Sequence, residues 1–357
     1  MLKIGIVGLP NVGKSSLFNS LTKNDILVAN YPFATIEPNT GIVSVPDNRL
    51  QKLKEFYDSE KIVPAVVEFF DIAGLVQGAS RGEGLGNKFL SHIRETNLIV
   101  HVVRAFNDNN VTHVMNDVNP KRDINVINTE LVLADLESLT KQLVKLEKEV
   151  KSNPKEKEFL EYCFYLKEVL ENNQPIWTVK ELDEKFLKRL SLLTSKPIIY
   201  VFNIDEADLN NEGLKSELKK IVEPSESLFL SAKLENELKN LSEEEQIDLL
   251  SLYGQNESGL NRLIVKAYDY LNLQSFLTAG KKEIRAWTIK KGITAPEAAG
   301  EIHGDIQRGF IAAEIISFPE LMKFDSYQDA KKAGKVRLEG KTYIMQEDDI
   351  VDFKFNV

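Results

Sequence analysis

The stretch GLPNVGKSS, close to the start of the chain, constrains the fold more than any other feature. The β-branched run over residues 4–7 predicts a strand, and the apolar spacing over residues 17–21 predicts a helix. Between them, residues 8–15 match Gly-x-x-x-x-Gly-Lys-Ser, the pattern of a phosphate-binding loop. Glycines let backbone N–H groups converge on phosphate oxygens, and the helix N-terminus adds its positive end. A glycine-rich turn could match by chance, but the full pattern with both flanks favours a nucleotide site.

The side chains of this loop indicate how a nucleoside triphosphate and its metal would be held. Lys14 would place positive charge on the β- and γ-phosphates, and the Ser15 hydroxyl would bind magnesium. The residues predicted to contact the phosphates are Asn11, Val12, Gly13, Lys14, Ser15 and Ser16. The chain is therefore predicted to contain a P-loop NTPase domain.

A second apolar strand, residues 65–71, ends at Asp71 and is followed by Gly74. In P-loop switch proteins an Asp at this place holds magnesium, and the glycine amide senses the γ-phosphate. Thr35, in a proline-flanked loop between the two elements, is the candidate to close on the γ-phosphate and the magnesium; the alternative is a surface threonine. Leu75 stands where many small GTPases carry the glutamine that orients the attacking water. Because leucine cannot do this, either another group places the water or hydrolysis is slow.

The loop after a later strand is predicted to face the base. Residues 203–206 read Asn-Ile-Asp-Glu, where GTP-binding switch proteins read Asn-Lys-x-Asp and use the Asp to accept hydrogen bonds from guanine. Glu206 keeps the charge but lies one methylene further out, so strong selectivity for GTP is not expected. The Asn203 amide could pair with adenine, and Ile204 could pack on the base plane. The segment expected to brace the base after the last strand is Ser-Ala-Lys, which consists of Ser231, Ala232 and Lys233.

The remaining pattern predicts an α/β domain with an insertion. Six apolar segments connected by helical patterns predict an open, mostly parallel sheet, in which the strands at residues 40–45 and 65–71 are antiparallel. Residues 128–195 contain no strand pattern, and their leucines recur at alternating spacings of four and three residues, which is a heptad seam. This stretch predicts an inserted α-helical coiled-coil hairpin, which is either inert or an interaction surface.

The pattern changes again from residue 276, where strands surround one helix. Thr294 is the expected N-cap of that helix, with Pro296 and Glu297 in its first turn. Residues 335–357 are expected to form a β-ribbon, and the whole segment predicts a small β-grasp domain. The predicted organisation is a P-loop nucleotide-binding domain at residues 1–127 and 196–275, the hairpin at 128–195 and the β-grasp domain at 276–357.

The composition argues against several classes of protein. A formal net charge of −9 disfavours a globally basic nucleic-acid binder. The one cysteine, Cys163, excludes an internal disulfide, fits a reducing compartment and is expected in the core. No apolar run approaches the ~20 residues of a membrane span, and a strand pattern begins at the third residue, so neither a membrane segment nor a signal peptide is expected. We expect a cytoplasmic monomer.

Whole motifs of the sequence resemble the YchF/Obg-like ATPases, relatives of the Obg GTPases. The segments that carry the resemblance are GLPNVGKSSLFN, NYPFATIEPN, DIAGLVQGASRGEGLGNKFL, VINTEL, the Asn-x-x-Glu loop and RAWTIKKGITAPEAAGEIHGDI. They are spread over almost the whole chain. The resemblance implies that the C-terminal domain is a TGS domain, and that ATP is preferred and slowly hydrolysed to ADP with magnesium. It also implies association with the ribosome, through ribosomal RNA and ribosomal proteins.

The resemblance also assigns roles to single residues. Leu75 matches the family's hydrophobic replacement for the catalytic glutamine. His113 matches a histidine proposed to activate water, although a solvent-facing loop histidine is an open alternative. In related potassium-stimulated GTPases an Asn at the place of Asn11 helps to hold the ion, so potassium is a further cofactor hypothesis.

Contact with ribosomal RNA would need local basic patches, because the chain is acidic overall. The candidates are Lys281, Lys282, Arg285, Lys290 and Lys291, and a second set of Lys331, Lys332, Lys335, Arg337 and Lys341. The alternative is an ordinary solvated face. We therefore predict a slow, ATP-preferring ATPase that acts as a switch on the ribosome. The competing hypotheses are a nucleotide-gated ribosome- or RNA-binding module with incidental hydrolysis, and a GTPase with relaxed base choice.

Overall fold

The computed structural model describes residues 2–22, 39–72, 85–108, 110–115 and 117–356, with only the backbone for residues 85–88. The chain divides into two compact units, Met1–Val43 with Glu68–Leu263, and Ser44–Val67 with Ile264–Val357. The helical insertion belongs to the first unit, so the division of the chain into three domains stays a prediction.

Strands and helices alternate along most of the described chain. The strands are β1 (Leu2–Val7), β2 (Thr40–Ser44), β3 (Ile62–Val63), β4 (Val66–Asp71), β5 (Leu98–Arg104), β6 (Ile198–Asn203), β7 (Glu226–Leu230), β8 (Leu273–Ala279), β9 (Ile284–Lys290), β10 (Phe310–Ser317), β11 (Arg337–Glu339) and β12 (Asp349–Phe355). The α-helices are α1 (Lys14–Thr22), α2 (Arg49–Tyr57), α3 (Leu85–Glu95), α4 (Pro120–Val150), α5 (Lys157–Glu171), α6 (Glu184–Leu190), α7 (Glu212–Val222), α8 (Ala232–Leu238), α9 (Glu243–Leu252), α10 (Gly259–Tyr270), α11 (Ala295–Ile302), α12 (Gly304–Arg308), α13 (Phe318–Leu321) and α14 (Tyr327–Lys332).

The first unit is built on a six-stranded sheet with the order β2-β4-β1-β5-β6-β7. Strands β1, β5, β6 and β7 are parallel neighbours. β5 and β6 are buried along their whole length, as expected of central strands covered on both faces. β2 and β4 are antiparallel, because the Asn39 carbonyl accepts from the Asp71 N–H at 2.9 Å and the Val45 N–H donates to the Ala65 carbonyl at 2.8 Å. The predicted sheet is confirmed.

The carboxyl ends of the parallel strands lie at one edge of this sheet. The register aligns Arg104, the last residue of β5, with Asn203 of β6, and Asn203 with Leu230 of β7. β1 ends at Val7, which is aligned with His101, three residues before the end of β5. In open α/β sheets, ligands bind outside this edge. The loops that follow β1, β5, β6 and β7 therefore meet at one place.

The inserted helices form the predicted hairpin, but α4 begins before residue 128. Asn119 caps α4 by accepting from the Arg122 N–H at 3.0 Å, and Pro120 follows in the first turn. Only residues 151–156, which include a 3₁₀ turn at Pro154–Glu156, connect α4 to α5, and consecutive helices with so short a connection pack antiparallel. Their shared core contains Val132, Leu139, Leu143, Leu146, Phe159, Cys163, Leu166 and Leu170. In the described part of the chain, no helix combines the length and the apolar character that a bilayer crossing requires.

The second unit is built on a sheet with the order β11-β10-β12-β8-β9-β3. β8 is antiparallel to β9, β10 is antiparallel to both β11 and β12, and β12 is parallel to β8. The buried alanines of α11 share a core with Phe276 of β8 and Phe353 of β12. A capping box between Thr294 and Glu297 begins α11 as predicted. Two antiparallel pairs joined through parallel central strands and packed on a helix form the β-grasp arrangement that the sequence predicted.

Three details of this unit differ from the prediction. β8 begins at Leu273, ahead of residue 276, and its first five residues are all buried, so no alternation marked it as a strand. β3 adds an edge strand from a distant part of the sequence. The predicted β-ribbon at residues 335–357 is wrong, because β11 and β12 pair on opposite sides of β10. The buried Val351 and Phe353 give β12 an interior position, and turn signals locate bends without specifying which strands pair.

Candidate nucleotide site

The phosphate-binding loop connects β1 to α1 and has a backbone that its glycines make possible. Gly13 has a φ of 100°, and a Cβ there would lie 2.5 Å from Nδ2 of Asn203. Any other residue at this position would strain the backbone and clash. The Leu17 N–H donates to the Gly13 carbonyl at 2.9 Å, which begins the hydrogen bonding of α1. The loop therefore presents the N-terminus of α1 to a ligand, as expected of an anion site.

Lys14 lies inside this loop. Its side chain is 8 % exposed, and Nζ donates to the Leu9 carbonyl at 2.6 Å. Burial lowers the pKa of Lys14, and the charge of Asp71 partly opposes that shift. The ammonium is thus held close to the loop backbone, within the region where phosphate oxygens would be bound.

Ser15 and Asp71 supply oxygen ligands of the kind that magnesium binds. The Ser15 hydroxyl donates to Oδ2 of Asp71 at 3.2 Å, and Oδ1 of Asp71 is buried without a hydrogen-bond partner among the described residues. Hard oxygen donors with one unsatisfied carboxylate oxygen fit magnesium. The described residues contain no cluster of three or more His, Cys, Asp or Glu that could hold a metal. Phosphate oxygens and water would therefore complete the coordination.

Several predicted switch residues lie outside the described residues. They are Thr35, Gly74 and Leu75. Their roles in closing on the γ-phosphate and in replacing the catalytic glutamine remain predictions.

Asn203 at the end of β6 connects three segments of the site. Its Nδ2 donates to the Val12 carbonyl at 3.0 Å, and its Oδ1 accepts from the Ala232 N–H at 2.9 Å. The side chain is buried, so both ends of the amide are engaged by the protein itself. One donor and one acceptor of the Asn203 amide are thus used within the protein, and its pairing with adenine stays a prediction. Asn203 holds the phosphate loop against the loop that follows β7.

A cavity of about 790 Å³ lies at this edge of the sheet. The predicted residues that line it are Asn11, Gly13, Ser16, Asn203, Ile204, Glu206, Ser231 and Ala232. Another wall is formed by residues that follow β5, namely Phe106, Asn107, Asp108, Asn110 and Val111. The volume is within the usual range for small-molecule sites. Ser231 is the N-cap of α8, because its hydroxyl oxygen accepts from the Leu234 N–H at 3.4 Å.

The acidic residues of the base loop have different partners. Oε1 of Glu206 lies 2.9 Å from Nζ of Lys233, which extends from the first turn of α8. The pKa of Lys233 is raised by its hydrogen bond to this carboxylate. Oδ2 of Asp205 accepts from the Asn107 N–H at 3.2 Å. Asp205 therefore links the base loop to the wall that follows β5, and Glu206 links it to α8.

Arg104 is a site residue that the sequence analysis missed. Its guanidinium donates to the carbonyl oxygens of Phe106, Asp108 and Val111 at 3.3, 3.1 and 2.9 Å. It also lies 4.4 Å from the centre of the Phe106 ring. Only 2 % of the residue is exposed. The sequence contains an indication of this role, because Arg104 lies at the end of the apolar run NLIVHVVRA. An arginine that is buried with such a strand needs nearby hydrogen-bond acceptors.

His113 lies beyond the same wall and is buried, so the solvent-facing alternative is wrong. Its Nδ1 accepts from the Met115 N–H at 3.1 Å, which places the proton on Nε2, and Nε2 donates to Oδ2 of Asp123 at 2.8 Å. Both ring nitrogens therefore have protein partners in this arrangement. The amide of Asn11 donates to the Thr112 carbonyl at 3.1 Å and holds this segment beside the phosphate loop. The catalytic role of His113 remains a prediction.

The second basic set, in the β-grasp unit, is largely neutralised by nearby carboxylates. Lys331 pairs with Glu314 at 2.7 Å, Lys335 with Glu320 at 3.3 Å, and Lys332 with Asp329 at 3.5 Å. Surface pairs of this kind leave little net positive charge for phosphates. The structure therefore favours the solvated-face alternative for these lysines.

A phosphate loop after β1, an Asp at the end of β4 and a base loop after β6 together define a P-loop NTPase of the GTPase-like class. Models of known families agree with this class. Residues 3–179 match one described as a 50S ribosome-binding GTPase, and residues 273–356 match a YchF C-terminal model described as a protein of unknown function.

Curated relatives and solved structures extend the similarity to the whole chain. A Bacillus subtilis protein named ribosome-binding ATPase YchF is 50 % identical over 100 % of both chains, and a Mycoplasma genitalium protein of the same name is 48 % identical over 100 % of both. A structure described as the Schizosaccharomyces pombe YchF GTPase has a TM-score of 0.86 and 39 % identity, and covers 99 % of this chain and 97 % of its own. This chain belongs to the YchF family.

Proposed function

We propose that this protein is an ATP-preferring P-loop ATPase that hydrolyses ATP slowly to ADP and phosphate. It acts as a nucleotide-dependent switch that associates with the ribosome. The base choice rests on one observation, which is that Glu206 stands at the guanine-reading position and pairs with Lys233 at 2.9 Å. The ribosome is proposed because relatives that match the chain over its whole length are named ribosome-binding ATPases.

The residues of the phosphate loop have distinct tasks in this proposal. Lys14 would turn from the Leu9 carbonyl to the β- and γ-phosphates, and backbone N–H groups at the start of α1 would bind the same oxygens. Ser15 and Asp71 would hold magnesium, which supplies positive charge to the phosphates when it is bound. Asn203 would keep the phosphate loop and the base loop at a fixed separation.

Slow hydrolysis follows from the residues that could place the attacking water. Leu75 provides no hydrogen-bonding group, and the ring nitrogens of His113 are engaged by Met115 and Asp123. For His113 to position water, its ring must first leave Asp123. A partner that moves the N-terminus of α4 would release it, which would make turnover depend on the ribosome.

Two measurements test the switch on the ribosome. Sedimentation with ribosomes in ATP, in ADP and in a non-hydrolysable ATP analogue should give different bound fractions, since a ligand shifts an equilibrium only through differential contacts. Steady-state turnover with and without ribosomes should differ. Equal binding in all nucleotides and equal turnover would favour the alternative, a binding module with incidental hydrolysis.

A GTPase with relaxed base choice is the second alternative, and the Schizosaccharomyces pombe relative is described as a GTPase. Competition between ATP and GTP for turnover decides between the two base choices. Potassium bound near Asn11 remains a hypothesis, and equal turnover rates in potassium and in sodium would contradict it. The proposed function places the protein in the cytoplasm, and we propose that it acts as a monomer.

A further inference from the structure

One ion pair at the nucleotide cavity has a geometry that bears on base choice. Glu206 and Lys233 both line the cavity; Glu206 follows β6, and Lys233 lies in the first turn of α8. Oε1 of Glu206 lies 2.9 Å from Nζ of Lys233, and the Glu206 side chain is only 15 % exposed, whereas that of Lys233 is 74 % exposed. The carboxylate is thus set into the wall of the cavity, and the ammonium lies on its open side.

The two purines make different demands on this carboxylate. The Watson–Crick edge of guanine presents two adjacent N–H donors, whereas that of adenine presents one donor and one ring acceptor. A free carboxylate accepts two parallel N–H bonds and therefore favours guanine. An ammonium on one of its oxygens removes part of that acceptor capacity and places further donors beside it.

From this geometry we propose that Lys233 is a specificity-determining residue, which disfavours guanine by occupying the Glu206 carboxylate. A guanine nucleotide must displace the ammonium from Oε1 before both of its N–H groups can be accepted. An adenine nucleotide has no such requirement. The inference rests on the proposed function, because it concerns the same nucleotide site.

A purely structural role for the pair predicts a different outcome. If Lys233 only ties α8 to the base loop, its removal should weaken adenine and guanine nucleotides by the same factor. The ratio Kd(GDP)/Kd(ADP) therefore separates the two roles, whereas either dissociation constant alone does not.

The experiment is calorimetric titration of the full chain with ADP and with GDP. Lys233→Ala and the longer Lys233→Gln remove the ammonium, and the Lys233 side chain is 74 % exposed, so both variants should fold normally. Lys220→Ala on α7 is a control with the same charge change, since Lys220 is exposed and does not line the cavity. Lys233→Ala combined with Glu206→Gln removes the carboxylate charge as well.

We expect Lys233→Ala and Lys233→Gln to lower Kd(GDP)/Kd(ADP) by up to about fivefold relative to wild type. Fivefold corresponds to about 1 kcal/mol at 1.4 kcal/mol per tenfold, the upper range for displacing an exposed ion pair. Lys220→Ala should leave the ratio unchanged, and Glu206→Gln in the double variant should abolish the fall.

An unchanged ratio in both Lys233 variants, or a fall that persists in the double variant, would overturn the inference. Neither result would contradict the proposed function, because that function is tested by Kd(GDP)/Kd(ADP) of the wild-type protein. Conversely, a wild-type preference for GDP would overturn the proposed ATP preference, while the change in ratio between wild type and variants would still test Lys233.

Discussion

Replacing Arg104 by leucine should weaken nucleotide binding without changing base choice. Arg104 donates to three carbonyl oxygens of the loop after β5, at 2.9 to 3.3 Å, and that loop forms one wall of the cavity. Hydrogen bonds from a charged donor contribute about 1.5–3 kcal/mol each, so three set an upper bound of about 4.5–9 kcal/mol. The released carbonyls can turn to water once the loop loosens. We therefore expect Arg104→Leu to lower the free energy of unfolding by only about 2–4 kcal/mol.

Part of this loss should appear in the dissociation constants. Because binding must then order the loop again, we expect Kd to rise about 10- to 100-fold, or about 1.4–2.8 kcal/mol. ADP and GDP should weaken in parallel, unlike the result expected for Lys233. Titration calorimetry gives both constants, and urea unfolding gives stability. Arg308→Leu is the control, since the Arg308 side chain is 80 % exposed and lies in the second unit. An Arg104 variant with lower stability but unchanged dissociation constants would refute the reasoning.

Three further predictions follow from buried polar groups. Asp135 accepts from two backbone N–H groups and the Thr194 hydroxyl at 2.7 to 2.8 Å. Asp135→Ala should therefore lower the free energy of unfolding, measured in urea, by about 3–5 kcal/mol. A decrease below about 1 kcal/mol would contradict this. Burial raises the pKa of Glu235 from 4.5 to about 7, although the Gly259 N–H donates to it at 2.6 Å. The protonated carboxyl stabilises the fold fully below pH 4.5, and this contribution is lost as pH rises through about 7, so Glu235→Gln should flatten stability across that window. His113→Ala should lower the single-turnover rate of ATP hydrolysis and leave the affinity for ADP unchanged. An unchanged rate would show that His113 has only a structural role, through its contact with Asp123.

The features that could be predicted from the sequence are those set by local chemistry. The phosphate loop was recognised because its glycines, Lys14 and Ser15 are contiguous and flanked by a strand and a helix. The hairpin was recognised because heptad spacing persists over several turns. The cap of α11 was recognised because Thr294 and Glu297 satisfy each other within one turn. In each case the residues that decide the structure are neighbours in the chain.

Apart from Arg104, whose acceptors lie within seven residues of it, the features that were missed depend on residues further away in the chain. The partners of Asn203 are Val12 and Ala232, and the partner of Nε2 of His113 is Asp123 at the start of α4. Side chains that are polar and versatile in sequence acquire one role only when the fold supplies their partners. The placement of β11 and β12 on either side of β10 is decided in the same way, by which side chains the core accepts.

The central claim is that this nucleotide site prefers adenine to guanine, and equilibrium titration of the wild-type protein with ADP and GDP tests it most directly. Magnesium, pH and salt are held constant, and both nucleotides are titrated into the same preparation. We expect a Kd for ADP at least about tenfold below that for GDP, or about 1.4 kcal/mol, which is close to the lower end of the contribution of one hydrogen bond to a charged group. A Kd for GDP equal to or below that for ADP would contradict it.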